Sequence, residues 1–445
     1  MNPATAPPST ESGSRAYPLV ESSDVAGPSR WRRLVAAPLK LFVGMALCQS
    51  VLGAMAVVGW TYRWMQRVVL QQWWKAGAAS RNRQTFAEFA AADPRTAQHV
   101  HWPNWFLAQN FRESIRARRN SGNSGTSIVT LFKSLGESMW TNVRLGFQGI
   151  FNTWVLTLPA GVLWLFSWYD GWGNSFNKGY EQAWVGPAIG VAGIALFIAS
   201  MLYVPMAQVR QGMTGNWRSF YEFRLVWTLV RRRWLANAGL AALYSLCSVP
   251  GMVLLSVIAF LPNINPGFTD LTSEQAHAFL SRYYFWAALW VFPAFVLLRL
   301  VAARSYATAL LKAVQTGAVV TELLAENEWQ ALHRLDLLQL EPTRPRHPVI
   351  RVAAWAGTRA GRVTFGIVTG FLWFTFVAQI YIAHFFNYVG AQGWLNQPLV
   401  QLPWFHHLPV AMKNPWSDFL IAAIALFVAW RLQRLLHWLK GLRKE

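Results

Sequence analysis

Residues 185–206 read VGPAIGVAGIALFIASMLYVPM, an unbroken stretch without a charged side chain. A helix rises about 1.5 Å per residue, so a bilayer core of about 30 Å takes roughly 20 apolar residues to cross. The stretch predicts a transmembrane helix. Windows of the same kind run over 41–60, 147–168, 235–261, 283–303 and 364–386, with a shorter seventh at 419–430. Trp416 before the seventh and Arg431, Arg434 and Trp438 after it offer interfacial anchors. Composition agrees, because 54% of the 445 residues are hydrophobic and 13% are charged, against about 25% charged in a soluble domain. Such apolar content excludes a disordered chain, and two cysteines exclude a disulfide-stapled scaffold.

Tryptophan placement supports the same reading. Many of the 26 indoles, Trp60, Trp168, Trp172, Trp184, Trp234, Trp286 and Trp430 among them, fall at the ends of the windows. An indole is mostly apolar with one N–H donor, so it is favoured at headgroup depth. The expected fold class is an all-α, polytopic integral membrane protein with six or seven transmembrane helices plus cytoplasmic amphipathic helices.

Charge orients the bundle. The connection 207–234 carries Arg210, Arg218, Arg224, Arg231, Arg232 and Arg233 against one acid, Glu222, whereas the connections at 170–184 and 262–282 carry one basic residue each. By the positive-inside rule the arginine-rich connection is cytoplasmic, as are the basic segment 304–362 and the tail after Trp430. The net charge of +21 is thus expected on one face of a membrane, with the anionic cytoplasmic leaflet as partner. Bacterial inner membrane is the expected location and the C-terminus is expected in the cytoplasm. The first window breaks the pattern, since Arg30, Arg32, Arg33 and Lys40 precede it and Arg63, Arg67, Lys75, Arg81 and Arg83 follow. The N-terminus lies outside with seven spans, or the window forms a re-entrant or in-plane hairpin around Gly53 with six; a cleaved signal built from Arg32-Arg33, the apolar stretch and Ala54-Met55-Ala56 is disfavoured, because it would export the basic segment 61–146.

The domain reading follows. Residues 1–29 form a disordered tail, 30–75 the first apolar helix or hairpin, and 76–146 a basic cytoplasmic segment with a flexible linker at 116–127. Residues 147–303 form a four-span core, 304–363 a cytoplasmic helical extension with a proline-rich connection, and 364–445 the last two spans and a basic tail. Within 76–146, Ile128, Leu131, Leu135, Met139 and Val143 recur at helical spacing and predict a helix beside the membrane. In 219–234, Ser219 and Glu222 make an S-x-x-E capping pattern. Phe220, Phe223, Trp227, Val230 and Trp234 follow at spacings of three and four. This predicts an interfacial helix whose Arg218, Arg224, Arg231, Arg232 and Arg233 meet lipid phosphates. Beyond 304 a long helix is expected, its apolar stripe of Val320, Leu324, Ala331, Leu335 and Leu338 buried against another cytoplasmic element before a foreign protein. Gly186 with Gly190 and Gly366 with Gly370 form G-x-x-x-G pairs suited to close helix packing.

Chemical motifs are few. The interiors of the windows hold no Asp or Glu, which argues against cation coupling; Arg299, His384 and the nearby Asn387 form the candidate intramembrane polar site. There is no G-x-x-x-x-G-K-[ST], G-x-S-x-G or H-E-x-x-H motif. His99 with His101 and His406 with His407 lack a third ligand, so no metal site, cofactor or catalytic residue is expected. Cys48 and Cys247 read as small core residues. The basic residues are scattered beside spans without a nucleic-acid-binding pattern, so no nucleic-acid partner is expected. Three classes remain: a non-catalytic scaffold or accessory subunit with a protein partner on its cytoplasmic helices, a permease or channel for a neutral or anionic solute, and a lipid-modifying enzyme.

Overall fold

The computed structural model describes residues 30–77, 84–100, 105–107, 127–167, 184–268, 270–339 and 348–390. These are helices and their connections. The helices are α1 (Arg30–Leu47), α2 (Val51–Ala76), α3 (Phe86–Ala91), α4 (Ser127–Phe166), α5 (Val185–Thr214), α6 (Phe223–Arg232), α7 (Trp234–Ile264), α8 (Ser273–Gln315), α9 (Glu326–Arg334) and α10 (Pro348–Gly390). Among the described residues four segments are long and apolar enough to cross a membrane: Val185–Thr214, Trp234–Ile258, Glu274–Gln315 and Trp355–Gln379. That is fewer than six or seven. The protein is a multi-pass α-helical membrane protein, and its spans present bare apolar side chains, such as Val191 at 66%, Leu246 at 68% and Ile367 at 68% exposure. Aliphatic area of that extent belongs in hydrocarbon.

Three of the seven windows account for the difference. The window 419–430 lies outside the described residues, as do the tail 1–29 and most of the linker 116–127. The window 41–60 is not one helix. It breaks at residues 48–50, where the Ser50 side chain accepts from the N–H of Gly53 and caps α2. A Cβ on Gly53 would overlap the carbonyl of Leu47, so the tight turn needs glycine there. The window 147–168 is the second half of the 40-residue α4, which begins at Ser127, so the helix predicted beside the membrane is continuous with it. Asn152, Thr153 and Thr157 interrupt its apolar face.

The chain divides into two units. The first, Met1–Val249 with Phe285–Ala378, is organised around α2, which packs against α4 and α5. A Cβ on Gly59 would sit 1.9 Å from the carbonyl oxygen of Asn142, and one on Gly146 1.9 Å from that of Met55. The backbones of α2 and α4 therefore touch. Trp73 of α2 donates to the carbonyl of Ala307 at 3.0 Å, and Trp60 packs against Phe106 and Phe292. The second unit, Pro250–Tyr284 with Gln379–Glu445, contains the end of α7 and the start of α8. Thr272 and Gln275 cap α8 reciprocally, and Ile258, Ala276 and Leu280 are buried together.

The segments between spans differ from their sequence reading in instructive ways. α8 ends at Gln315 and Gly317, at φ 64°, reverses the chain, so the long extension becomes a short 3-10 turn (Thr321–Leu323) and α9. Leu324, Ala331 and Leu335 are buried within this chain, as expected, while Val320 is exposed. The amphipathic helix predicted over 219–234 is two elements, a 3-10 turn (Trp217–Tyr221) and α6. Ser219 is buried inside the turn and caps nothing, and Asn216 accepts from the N–H of Arg218 instead. The buried face of α6 is Leu225, Val226, Leu229 and Val230, while Phe223 is exposed. The arginines thus lie opposite a protein core.

Candidate functional site

Polar residues gather where α5 runs past its apolar stretch, before Gly215 at φ 66° ends the helix. Gln208, Arg210 and Gln211 are all buried. The Arg210 guanidinium donates through Nε to Glu222 Oε2 at 2.8 Å and through Nη2 to the carbonyl of Leu323 at 3.0 Å, and its Nη1 pairs with Glu328. Glu328, fully buried on α9, also accepts from the Tyr306 hydroxyl of α8 at 2.8 Å and from the N–H of Ala325 at 3.2 Å. A buried carboxylate with three donors, one a guanidinium, is a satisfied charge. α9 is further fixed by Asn327, which donates to the carbonyl of Met213.

A second set of bonds ties α4 to the same place. Asn152 donates to Gln211 Oε1 at 3.3 Å and to the carbonyl of Trp217 at 2.9 Å, and accepts from Tyr221 at 3.3 Å. Gln208 donates to Thr153 at 2.7 Å, and Gln66 of α2 donates to the carbonyl of Gly212 at 2.5 Å. Five helices, α2, α4, α5, α8 and α9, are thereby locked at one end. The network holds helices, and both of its carboxylates pair with Arg210.

A third group is less satisfied. Arg63 and Arg67 sit one turn apart on α2 at 4% and 5% exposure. Arg63 donates to the carbonyl of Leu107 at 2.7 Å and to Asn142 Oδ1 at 3.2 Å. Arg67 lies over the Phe86 ring at 5.0 Å, and among the described residues its Nε and Nη1 have no hydrogen-bond partner. His99, in the 3-10 turn Ala97–His99, is 2% exposed, and its Nδ1 is likewise without a partner. Burial, then the Arg67 and Arg63 charges, hold the His99 imidazole well below the usual histidine range. Burial alone pushes Arg67 down to about 9.

Of the residues singled out by sequence, Arg218, Arg224, Arg231 and Arg232 are exposed, and Arg233 is half-buried. Arg224, Arg231 and Arg232 share the outer face of α6, and Arg218 lies over the Trp217 ring at 5.6 Å. Arg299 of α8 lies over Phe295 at 4.8 Å, its Nη1 is buried without a hydrogen-bond partner among the described residues, and its charge acts on Tyr62 of α2. His384 and Asn387 fall on α10, but their side chains lie outside the described residues, so the structure does not place them against Arg299. Gly186 accepts at its carbonyl from Ser167, just past the end of α4, at 2.6 Å, and Gly190 lies against the same serine. Among the described residues a Cβ at Gly366 or Gly370 would meet no neighbouring element within 4 Å.

His101, His406 and His407 lie outside the described residues, and among the described ones no three His, Cys, Asp or Glu side chains gather as a metal site would require. Sequence reasoning missed Arg63, Arg67, Arg210 and Glu328, having counted three of them as topology charges. A signal existed: Arg63 and Arg67 fall three and seven residues after Trp60, and Glu328 lies three and four before Ala331 and Leu332, so each shares a helix face with apolar neighbours. Comparison with known protein families, with curated proteins and with solved structures finds no match.

Proposed function

We propose that the protein is a non-catalytic membrane scaffold or accessory subunit, set in a bacterial inner membrane with its arginine-rich end and C-terminus in the cytoplasm. In this reading the bundle has six or seven spans, the four apolar helices being joined by windows 147–168 and 419–430, and by 41–60 where the count is seven. The observation that carries it is the locked end of the bundle. Arg210, Glu222, Glu328 and Tyr306 consume their charges and donors on one another, while Arg218, Arg224, Arg231 and Arg232 face outward. A carrier needs an element with two arrangements. A tie between buried charges opposes such movement, because separating the partners strands a charge in low dielectric. The outward arginines then supply a fixed basic platform for an anionic leaflet and for an acidic protein partner.

One observation favours the second reading, a permease or channel for a neutral or anionic solute. Arg299 lies in a span with a buried nitrogen that has no hydrogen-bond partner among the described residues, which suits a passing anion. Purification in mild detergent separates the two. A stoichiometric protein partner is the expected result for the scaffold. A lone protein that moves solute in liposomes, with the flux lost in Arg299→Met, overturns it.

A further inference from the structure

The Arg67 and His99 cluster plays no part in the scaffold reading, and it is incomplete as a structural device. A guanidinium is always charged at neutral pH, and burying one without an anion or a full set of acceptors is unfavourable. Arg210 shows how this chain satisfies such a group: two carboxylates and a carbonyl receive it. Arg67, at a similar depth, has an aromatic ring on one side, and no carboxylate among the described residues pairs with it. The nearest charged influences on His99 are two further positive groups, Arg63 and Arg67. The i, i+4 spacing directs Arg63 and Arg67 to one face of α2, and Asn142 and the Leu107 carbonyl hold the Arg63 fork in place. The result is a preorganised cationic site whose unused donors are Nε and Nη1 of Arg67, and His99, within reach of the fields of both arginines, adds a buried Nδ1 without a partner among the described residues.

We infer that Arg67 and His99, with Arg63 beside them, bind a phosphate group, supplied either as inorganic phosphate or as the headgroup of a phospholipid. A phosphate offers several strong acceptor oxygens in one group, and it accepts short, charge-assisted bonds from guanidinium N–H and imidazole N–H donors together. A carboxylate carries one charge on two coplanar oxygens, whereas a phosphate carries more charge on oxygens spread tetrahedrally, which suits donors that arrive from different elements. The Phe86 ring lies against the guanidinium plane, which restricts its rotation and keeps its edge donors directed at the ligand. The site is a binding site, and no bond is made or broken in it.

The test uses the full-length protein in detergent, with its melting midpoint read by intrinsic tryptophan fluorescence in phosphate-free buffer. Sodium phosphate is compared with sodium chloride at equal ionic strength, and micelles doped with phosphatidic acid are compared with undoped micelles. Wild type is expected to melt higher with at least one of the two phosphate probes and not with chloride. Arg67→Met, close in shape and without charge, is expected to be as stable as wild type without phosphate and to bind it about 10- to 100-fold more weakly, the loss of a bond to a charged group. Phe86→Leu removes the ring that orients the guanidinium and keeps the charge, and is expected to lower the midpoint and to shrink the phosphate-induced rise without abolishing it. If Arg67→Met does not fold, Arg67→Lys keeps the charge with fewer donors and should show a weakened response. Response to inorganic phosphate alone assigns a soluble ligand. Response to phosphatidic acid, with a phospholipid retained in native mass spectrometry of wild type and lost in Arg67→Met, assigns a lipid. The proposal is overturned if wild type responds to neither probe, responds equally to chloride, or if the Arg67 variants respond as wild type does.

Discussion

Replacing Arg210 with methionine tests the locked end of the bundle. Methionine approximates the length of the arginine stem, so the substitution removes charge and donors with little change in packing. Glu222 is 37% exposed at its side chain and returns to water at small cost. Glu328 has no exposure and cannot. It keeps the Tyr306 hydroxyl and the Ala325 N–H, but it becomes a buried carboxylate without a counter-charge. Breaking a buried pair in this way costs about 3–5 kcal/mol. With about 2–4 °C per kcal/mol for a domain of 150–250 residues, the midpoint falls on the order of 10 °C. The informative comparison is the triple variant Arg210→Met, Glu328→Leu, Tyr306→Phe, which removes both buried charges and the orphaned hydroxyl together and leaves Glu222 to the solvent. It should recover to within about 1–2 kcal/mol of wild type, since a buried ion pair and an apolar replacement are often similar in stability. Urea unfolding in mixed micelles, followed by tryptophan fluorescence, measures each variant. The reasoning fails if Arg210→Met costs less than about 1 kcal/mol, or if the triple variant is no better than the single one.

Three further outcomes are expected. Gly146→Val should destabilise the α2 and α4 contact by about 3 kcal/mol or more, because its side chain would enter the Met55 backbone, whereas Gly366→Ala and Gly370→Ala should stay within about 0.5 kcal/mol of wild type; melting midpoints decide this. His99 titrates below its unfolded value near 6.5, so the stability it contributes as a neutral side chain is complete above about pH 6.5. Below that pH the unfolded chain takes up the proton first and stability falls by up to about 1.4 kcal/mol per pH unit; His99→Gln should remove that part of the slope in a pH series of unfolding curves. In a Cys48→Ser, Cys247→Ala background, Arg218→Cys should react with an impermeant maleimide in inside-out vesicles and not in intact cells, and labelling from outside would reverse the orientation proposed for the bundle.

The membrane-spanning helices were legible because they depend on length and apolarity, which one chain carries by itself. Residues 185–206 needed no partner to be understood. What a single sequence does not carry is which polar side chain meets which, and the errors follow from that. Arg210 and Glu328 are separated by more than a hundred residues, and only the reversal at Gly317 brings α9 back to the end of α5. Likewise, the positive-inside rule treats every arginine near a span as surface charge. It holds for Arg218, Arg224, Arg231 and Arg232, which are exposed, and it misassigned Arg63, Arg67 and Arg210, which are not. The two kinds separate by helix face: the exposed arginines of α6 lie opposite Leu225, Val226, Leu229 and Val230, whereas the buried ones share their faces with core residues.

That distinction changes how the first apolar window is understood. Its two basic flanks looked alike in sequence and implied that both ends of one span lay in the cytoplasm. With Arg63 and Arg67 buried, the second flank loses two of its five charges as topology signals, and the helix break at residues 48–50 removes the premise of a single span. α1 then carries exposed Val35, Leu39 and Phe42 on one face, at the spacing of an apolar stripe, with Lys40 turned inward over the Trp105 ring at 4.9 Å. An 18-residue helix with that face outward suits a position along the membrane surface, and α2, closely packed against α4 through Gly59 and Gly146, suits a place inside the protein. We propose the in-plane hairpin for this window, since α1 presents its apolar stripe outward and the basic residues Arg63 and Arg67 that follow are enclosed by protein. A tag at the N-terminus that is protected in inside-out vesicles would refute it.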